Sequence, residues 1–403
     1  MWTFFFLFLG LAQCFLLRVL YKGGLRLTAA GEKEREKAEI PPGGGWPACA
    51  LIIPVAGSHP AMADALTSLL LQDYPDYRVY LVTATSTEPA ALMASSLCAR
   101  FPHAGHVVAG STAACGQKNH NLLAGARAVG TTPAVLAFCD STHVAQPDFL
   151  RCLVYPLAAG AASFSTGYHQ VQPRDSKVVT LAYCMCVLFM RFLQGISSLT
   201  QLWGGAMAMD RNAFYKMEVP ALWETNVVDD CSLSAWLHRA GVKIQLCPGA
   251  LLTTWSANHS LSVWAAWLER QILFLKFCMP GQWIALVAGA IILAIPPIWL
   301  VCSCAMGLLG AGGGTAPFLA LCWLCLAGWI IDSWRRFVAL PVSPAPWIGA
   351  FLSACFMFAC ASITSIFKKS ILWHGMEYFT GKNGVITGMV RSSGESRQAI
   401  TKD

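Results

Sequence analysis

Carboxylates that close apolar runs are where this chain could do chemistry. In Ala134 to His143, AVLAFCDSTH, five apolar residues and a Cys lead into Asp140, and small polar residues follow. Such a run reads as a buried parallel strand, and open α/β sheets keep their ligands outside the carboxyl ends of those strands. Asp140 would then face a cleft. With Thr142 two residues on and Pro147 opening the next helix, it suits a divalent cation on a diphosphate, since Mg2+ and Mn2+ prefer carboxylate and hydroxyl oxygens. A helix cap or a turn aspartate would look the same locally. The second acidic point is the pair Asp229 and Asp230, reached through the apolar approach Asn226 to Val228 and followed by an amphipathic helix. A helix dipole favours acids at that place whatever else they do.

The setting of these residues follows from composition. Of 403 residues, 12% are charged and 56% hydrophobic, and mean hydropathy is +0.52. That is too apolar for a soluble protein of this length, and a membrane protein is expected. The net charge of +7 does not point to nucleic acid, because the basic residues cluster beside hydrophobic spans and form no stripe interleaved with exposed aromatics. The 17 Cys are scattered, many within apolar runs, and behave as small hydrophobes with no disulfide framework. Cys322 and Cys325 have C-x-x-C spacing but lack the second pair a zinc site needs.

Trp2 to Leu20 is an apolar run of bilayer-spanning length, charged only at Arg18 near its end, without the basic start or small-residue cleavage site of a signal peptide. Residues 1–21 are therefore read as a retained transmembrane anchor. Arg18, Lys22, Arg26, Lys33, Arg35 and Lys37 follow, which by the positive-inside rule puts the next segment in the cytoplasm. Residues 22–46 read as a basic linker ending in the Pro/Gly run Pro41 to Gly45. From Ala48 to about Val242, short apolar runs alternate with helical periodicity, which predicts a mostly parallel sheet with covering helices. Strands are expected at Leu51 to Val55, Val79 to Val82, Val107 to Ala109 and Ala134 to Cys139. Pro60 opens a helix whose Met62, Leu66, Leu69 and Leu70 share one face. The loops after Val55, Val82 and Cys139 meet at one edge, where a nucleotide would lie.

The segment PVAGSHPAMADALTSLLLQDYPDYRVYLV, Pro54 to Val82, resembles the opening of the ceramide glucosyltransferase family and its hopanoid-linked bacterial relatives. The likeness continues in order. QKNHNL at Gln117 to Leu122 looks like the family's Lys-x-x-Asn segment, Cys139 to Thr142 falls on its aspartate motif, and Trp203 to Met207 on its Gly-rich acceptor-side loop. VDDCSLSAWLHRAG at Val228 to Gly241 resembles its acidic pair and following helix, and Trp267 to Gln271 falls where the family has an Arg-Trp motif. The resemblance covers roughly Ala48 to Phe277. It implies a GT-A fold and an inverting, nucleotide-sugar-dependent transferase of the family 2 type acting on a lipid.

Carried over residue by residue, the resemblance puts the nucleotide and its diphosphate at Pro54, Glu88, Lys118, Asp140 and Asp229. Glu88 is the one carboxylate in TATSTE, Thr83 to Glu88, where the family has an acidic cluster. The aspartate motif reads D-S-T-H, so Mg2+ or Mn2+ would rest on Asp140 and diphosphate oxygens. His143 would help it or would simply pack. In the degenerate Arg-Trp motif Arg270 survives, and a guanidinium can clamp a diphosphate bidentately. Inverting transfer needs a base for the acceptor proton and stabilisation of the departing diphosphate. Asp230 is the expected base, and Arg270 and the Asp140 cation serve the leaving group. Lys118 reads equally as a nucleotide contact and as a solvated lysine.

Leu181 to Leu193 is apolar enough to span, but a crossing there would put Asp140 and Asp230 on opposite sides of the membrane. Val178 to Trp203 is therefore expected as an interfacial or buried helix with Arg191 snorkelling. Trp255, Trp264, Trp267, Arg270, Phe274 and Lys276 suggest a second interfacial helix at 258–280. Three spans follow within 281–370, at Trp283 to Met306, Pro317 to Ile331 and Trp347 to Phe367, with the Gly-rich Gly307 to Gly314 as an outer loop. An odd number of spans would leave the tail, 371–403, outside, whereas Lys368, Lys369, Lys382 and Arg391 argue for inside, and a re-entrant segment would reconcile the two. The last dozen residues read as disordered. The expectation is a multi-pass cell-membrane enzyme whose catalytic domain, 47–257, faces the cytoplasm and moves a sugar from a UDP-sugar to a lipid hydroxyl. A polyprenyl-phosphate or polysaccharide transferase and an inactive scaffold are the alternatives.

Overall fold

The computed structural model describes residues 2–309 and 315–391. Most of the predicted outer loop at Gly307 to Gly314 and the predicted disordered last dozen residues lie outside these.

Helix α1 (Trp2–Ala38) is one unbroken helix, so the segment expected as a linker from Lys22 is its second half. Tertiary contact explains this. A Cβ on Gly24 would enter the ring of Phe192, and one on Gly31 would lie 2.9 Å from the Pro248 carbonyl oxygen. These glycines, two turns apart, let the helix lie flat on the catalytic domain, where Glu34 accepts a hydrogen bond from the Gly249 amide at 2.8 Å.

The domain then runs β1 (Cys49–Pro54), α2 (Met62–Leu70), β2 (Tyr77–Thr83), α3 (Pro89–Arg100), β3 (Ala104–Val108), α4 (Gln117–Ala128), β4 (Val135–Cys139) and α5 (Phe149–Ala158). It continues through β5 (Phe164–Pro173), α6 (Val178–Gln194), β6 (Ala206–Asp210), α7 (Arg211–Lys216), α8 (Val219–Trp223), α9 (Asp230–Arg239) and β7 (Gln245–Ser256). The strands form a sheet in the order β3-β2-β1-β4-β6-β5-β7, parallel except for β6, which is antiparallel to both neighbours. Leu51 and Ile53 face a core covered by α2, α3 and α5, while Ala50 and Ile52 face one covered by α4 and α7 to α9. This two-sided burial is why β1 reads as a continuous apolar run. The strand order reverses between the parallel neighbours β1 and β4, which opens a crevice at their carboxyl ends.

The four predicted strands are all present. Strands β5 to β7 escaped the reading, and in β5 the buried positions include polar residues satisfied by partners in α5 and β6. Ser165 Oγ donates to the Leu153 carbonyl at 2.7 Å and Thr166 Oγ to that of Ala206 at 3.2 Å.

Helix α6 is buried against the sheet as expected, but Arg191 does not snorkel. It is enclosed, and its Nη1 donates to Gln170 Oε1 at 3.3 Å. Trp255 lies on β7 and not on the following helix α10 (Leu261–Cys278), where Trp264 is buried in the core.

After α10 come α11 (Pro280–Leu308), α12 (Thr315–Asp332), a 3-10 turn at Ser333–Phe337 and α13 (Pro344–Phe367). With α1, these supply four helices long and apolar enough to cross a membrane. Helix α13 differs from the rest in how its ends are held. At its start Trp347 donates to the Ile331 carbonyl at 2.8 Å, at the end of α12, beside a loop tied to Gln172 through Phe337 and Ala339. At its finish Trp283, near the start of α11, donates to Ser365 Oγ at 3.0 Å, and Lys276 Nζ caps the Ser365, Ile366 and Lys368 carbonyls. It thus joins two points that are both beside the catalytic domain. The described residues close with an antiparallel sheet of β8 (Ser370–Trp373), β9 (Met376–Thr380) and β10 (Ile386–Arg391). That sheet docks on the catalytic domain, with the Ile386 amide donating to the Thr225 carbonyl at 2.9 Å.

Candidate active site

Four segments converge at the crevice. Asp140 follows the last residue of β4, Lys118 stands in the first turn of α4, Asp229 and Asp230 open α9, and Gly204 lies in the loop before β6. Lys118 Nζ sits 2.8 Å from Asp140 Oδ1 and 3.0 Å from Asp229 Oδ2, and it donates to the Gly204 carbonyl at 3.3 Å. The next residue, Asn119, is fully buried and donates to the Asn226 and Trp223 carbonyls, which pins the approach to the acidic pair. Asp230 Oδ2 accepts from the Gly204 amide at 2.7 Å. A Cβ on Gly204 would stand 2.4 Å from Asp229 Oδ2 and 2.7 Å from Lys118 Nζ, so this position has room only for glycine.

The adjacent acids are made unlike by these partners. Burial works against an ionised Asp140, but the Lys118 ammonium, with help from His143, holds its carboxyl well below the usual range. Burial likewise opposes the Lys118 charge, and Asp140 and then Asp229 keep it protonated. Asp230 goes the other way. Burial, and then the charge of Asp229, push its carboxyl up to about 7, against the opposing pull of Lys118 and two backbone amides. The side chain of Asp140 keeps 31% exposure while that of Asp229 keeps 2%, so Asp140 is the acid that faces the cleft and Asp229 the one that anchors the lysine.

Beyond Asp230 the surroundings become aromatic. Trp203 stacks on His169, centroids 4.5 Å apart, and lies 5.3 Å from Tyr168 and 5.2 Å from His143. Thr254 Oγ is shared between His143 Nδ1 at 2.8 Å and His169 Nδ1 at 2.7 Å. Burial, then His143, hold His169 well below the ordinary imidazole range. Tyr183 stacks on His259 and meets Trp267 edge-on at 5.0 Å. Tyr168, His169 and Thr254 were not singled out from the sequence. They lie on β5 and β7, and FSTGYHQVQP, buried on both faces and without strict alternation, carried no signal that would have found them.

Pro54 ends β1 at the same sheet edge. Glu88 caps the loop after β2, its Oε1 accepting from the Ala84 and Thr85 amides at 2.8 and 3.0 Å, so one carboxylate oxygen is already engaged within its own turn. Arg270 lies in α10. One turn further on, the Phe274 carbonyl accepts from Cys231 Sγ at 3.5 Å, so this face of α10 is turned towards the start of α9. Arg270 also lies near His374, which burial and then the guanidinium keep below the ordinary imidazole range.

Among the described residues no group of three or more His, Cys, Asp or Glu could hold a metal. Asp140 Oδ2 and His143 Nε2 stand 3.8 Å apart as two facing donors. A cation commonly takes one or two carboxylates and completes its shell with substrate phosphates and water. These residues fit a cation that arrives with a diphosphate, and not one bound by the protein alone.

Fold and site define an α/β GT-A transferase domain. Residues 47–271, more than half of the chain, match the family described as Glycosyltransferase like family 2, and the chain belongs to it. It is a glycosyltransferase of that type and uses a nucleotide sugar. No curated protein matches it. Among solved structures it is similar to a mannosyltransferase from Pyrobaculum calidifontis in complex with GDP-Man and Mn2+, at 15% identity and a TM-score of 0.48, covering 86% of this chain and 99% of that one. It is also similar to glucosyl-3-phosphoglycerate synthase from Mycobacterium tuberculosis in complex with Mn2+, UDP and glucosyl-3-phosphoglycerate, at 17% identity and a TM-score of 0.35, covering 57% and 79%.

Proposed function

We propose that this protein transfers one sugar, with inversion, from a UDP-sugar to the hydroxyl of a membrane lipid. The observation that carries the reading is the position of Asp230, a carboxylate of raised pKa between the ion-paired Lys118 group and the aromatic wall of Trp203 and Tyr168. An acid tuned to about 7 is matched to taking a proton near neutral pH. The acceptor hydroxyl gives its proton to Asp230 as its oxygen attacks the anomeric carbon, on the face opposite the diphosphate. Lys118 and Arg270 meet the charge that develops on the leaving diphosphate, and Asp229 keeps Lys118 in place. Asp140, with His143, would hold Mg2+ or Mn2+ on the diphosphate, where the cation supplies further positive charge. Pro54 and Glu88 border the nucleotide.

In this reading α1, α11 and α12 cross the cell membrane and α13 lies along its surface. Both ends of α13 are fastened beside the catalytic domain, which supports an in-plane course and the return of the tail to the domain's side. The basic residues of α1 from Arg18 to Lys37 favour the cytoplasmic face for that side.

The test is transfer of labelled sugar. Purified protein in lipid nanodiscs, given radiolabelled UDP-sugars, a total lipid extract and Mn2+, should move label into the organic phase. Label released only as free sugar, or found only in polymer, would refute the lipid acceptor.

A further inference from the structure

The start of α4 carries Lys118 but is not capped by a side chain of its own. Its N-cap is Gly116, where a Cβ would stand 2.1 Å from the Val227 carbonyl oxygen. Glycine is thus what lets the helix begin so close to the segment that leads into Asp229 and Asp230, and the Gly116 amide donates to the Asn226 carbonyl at 3.0 Å. The first amides of a helix have no intrahelical partner, and a buried start must find acceptors elsewhere. For Gln117, the first residue of α4, the acceptor is the phenol oxygen of Tyr378 in β9, at the other end of the chain. Burial raises the Tyr378 phenol above its ordinary range and the Gln117 N–H draws it back, as it does for an oxygen that accepts.

The tail holds the same approach segment from its far side. The Ile386 amide donates to the Thr225 carbonyl at 2.9 Å, the Val227 amide donates to the Gly384 carbonyl at 3.4 Å, and Asn226 and Val385 form an antiparallel bridge. Gly384 stands at φ +75°, and a Cβ on it would lie 2.8 Å from both Asn226 Oδ1 and Cys278 Sγ. Two glycines far apart in sequence therefore close on one segment, Gly116 from α4 and Gly384 from the tail. Val227, Val228 and Cys231 are buried with Ile371 and Tyr378 in a cluster separate from the two cores of the large sheet. The apolar flank of the acidic pair is built in part by the tail.

Lys118 is a flexible side chain that must reach Asp140, Asp229 and the Gly204 carbonyl at once. Whether it can depends on where the first turn of α4 and the start of α9 stand relative to each other, and the C-terminal sheet touches both. We propose that Tyr378 is a positioning residue for the transfer reaction: the C-terminal sheet fixes the first turn of α4 against the approach to the acidic pair, so that Lys118 meets its two aspartates and the donor diphosphate together. This rests on the reading above for the diphosphate that Lys118 meets, and not for the acceptor.

The test uses the full-length protein in nanodiscs, with UDP and Mn2+ as the probe and calorimetry as the readout. Tyr378→Phe removes the acceptor oxygen and keeps the ring in its cluster, and the Kd for UDP should rise about fivefold, the fold-change that one net hydrogen bond represents. In a Lys118→Met background the same substitution should change Kd by less than about twofold, because the group it positions is gone. Equal fold-changes in the two backgrounds would make Tyr378 a support of the fold at large and overturn the proposal. Hydrogen exchange on the parent protein decides the matter without any variant having to fold. UDP with Mn2+ should slow exchange at Met376–Thr380 as well as in the first turns of α4, since coupling between two places is reciprocal. Protection confined to α4 would overturn the proposal. UDP binding with this coupling, in a protein that glycosylates no lipid, would refute the lipid acceptor and leave Tyr378 in its role. Lipid glycosylation without the coupling would refute the role of Tyr378 alone.

Discussion

The two sides of Asp230 are built on opposite principles. Towards the nucleotide edge charges are paired, with Lys118 between Asp140 and Asp229 at 2.8 and 3.0 Å. On the other side the wall is Trp203, Tyr168, Tyr183 and Trp267, and there burial favours the neutral form of His169. In the proposed reaction, charge is thus organised where the diphosphate would be held and avoided where the acceptor hydroxyl would arrive. Asp230 belongs to both sides, which is why it differs from the chemically identical Asp229 next to it.

That contrast is tested hardest by exchanging the two acids in turn. Asp230→Asn keeps the shape but removes the base, and turnover should fall by roughly two to four orders of magnitude with UDP-sugar affinity retained. Asp229→Asn should cost mainly donor affinity, because it loosens Lys118. Equal loss of turnover from both, measured by single-turnover transfer, would mean that the pair works as one charge, and the separate roles would have to be given up.

Gly204→Ala strikes the junction itself, since the new methyl would press on both Asp229 and Lys118. A loss of about 1–3 kcal/mol in stability, typical of overpacking, should accompany loss of donor binding. Thermal melting in detergent with and without UDP reads both, and a variant that melts like the parent would show the loop to be free to move.

A gentler test uses pH. Asp230 must be ionised to act, so kcat/KM should rise as pH increases through about 7 and level off above it. Stability runs the opposite way. The folded carboxyl is raised above the ordinary value of 3.8, so its contribution is complete below that value and is lost as pH climbs through about 7. The melting temperature of the parent should drop over that interval more than that of Asp230→Asn. Parallel curves would place the raised acidity elsewhere.

The smallest effect is expected at Glu88. Its Oε1 is held by two amides of its own loop, and the carbonyl oxygen of Glu88→Gln can keep both bonds. UDP-sugar affinity should stay within about twofold, whereas losing a charge-assisted bond to the nucleotide would cost about 1–3 kcal/mol by calorimetry.

Much of this was legible in the chain alone. The apolar run before Asp140, the strands from Leu51 to Cys139, the Met62 to Leu70 helix face and the long apolar helices are local patterns, set by burial on one face or both, and periodicity exposes them directly. Strand β5 was not legible, because its buried polar side chains depend on hydrogen bonds to partners in other elements, Leu153 of α5 and Ala206 of β6. The same holds for the continuation of α1 to Ala38, which needs Gly24 and Gly31 to meet Phe192 and Pro248.

At the site itself, the sequence by itself determined which acids and which lysine were available and that helices apolar enough to span a membrane flank the domain. Only the tertiary structure decided that Lys118 is shared by Asp140 and Asp229 while Asp230 stays without it, that His143 and His169 meet through Thr254, and that α13 starts and ends beside the catalytic domain. The physical reason is that desolvation and charge pairing are properties of surroundings. Two neighbouring aspartates are identical in sequence and become different acids only when folding places a lysine against one and an aromatic wall against the other.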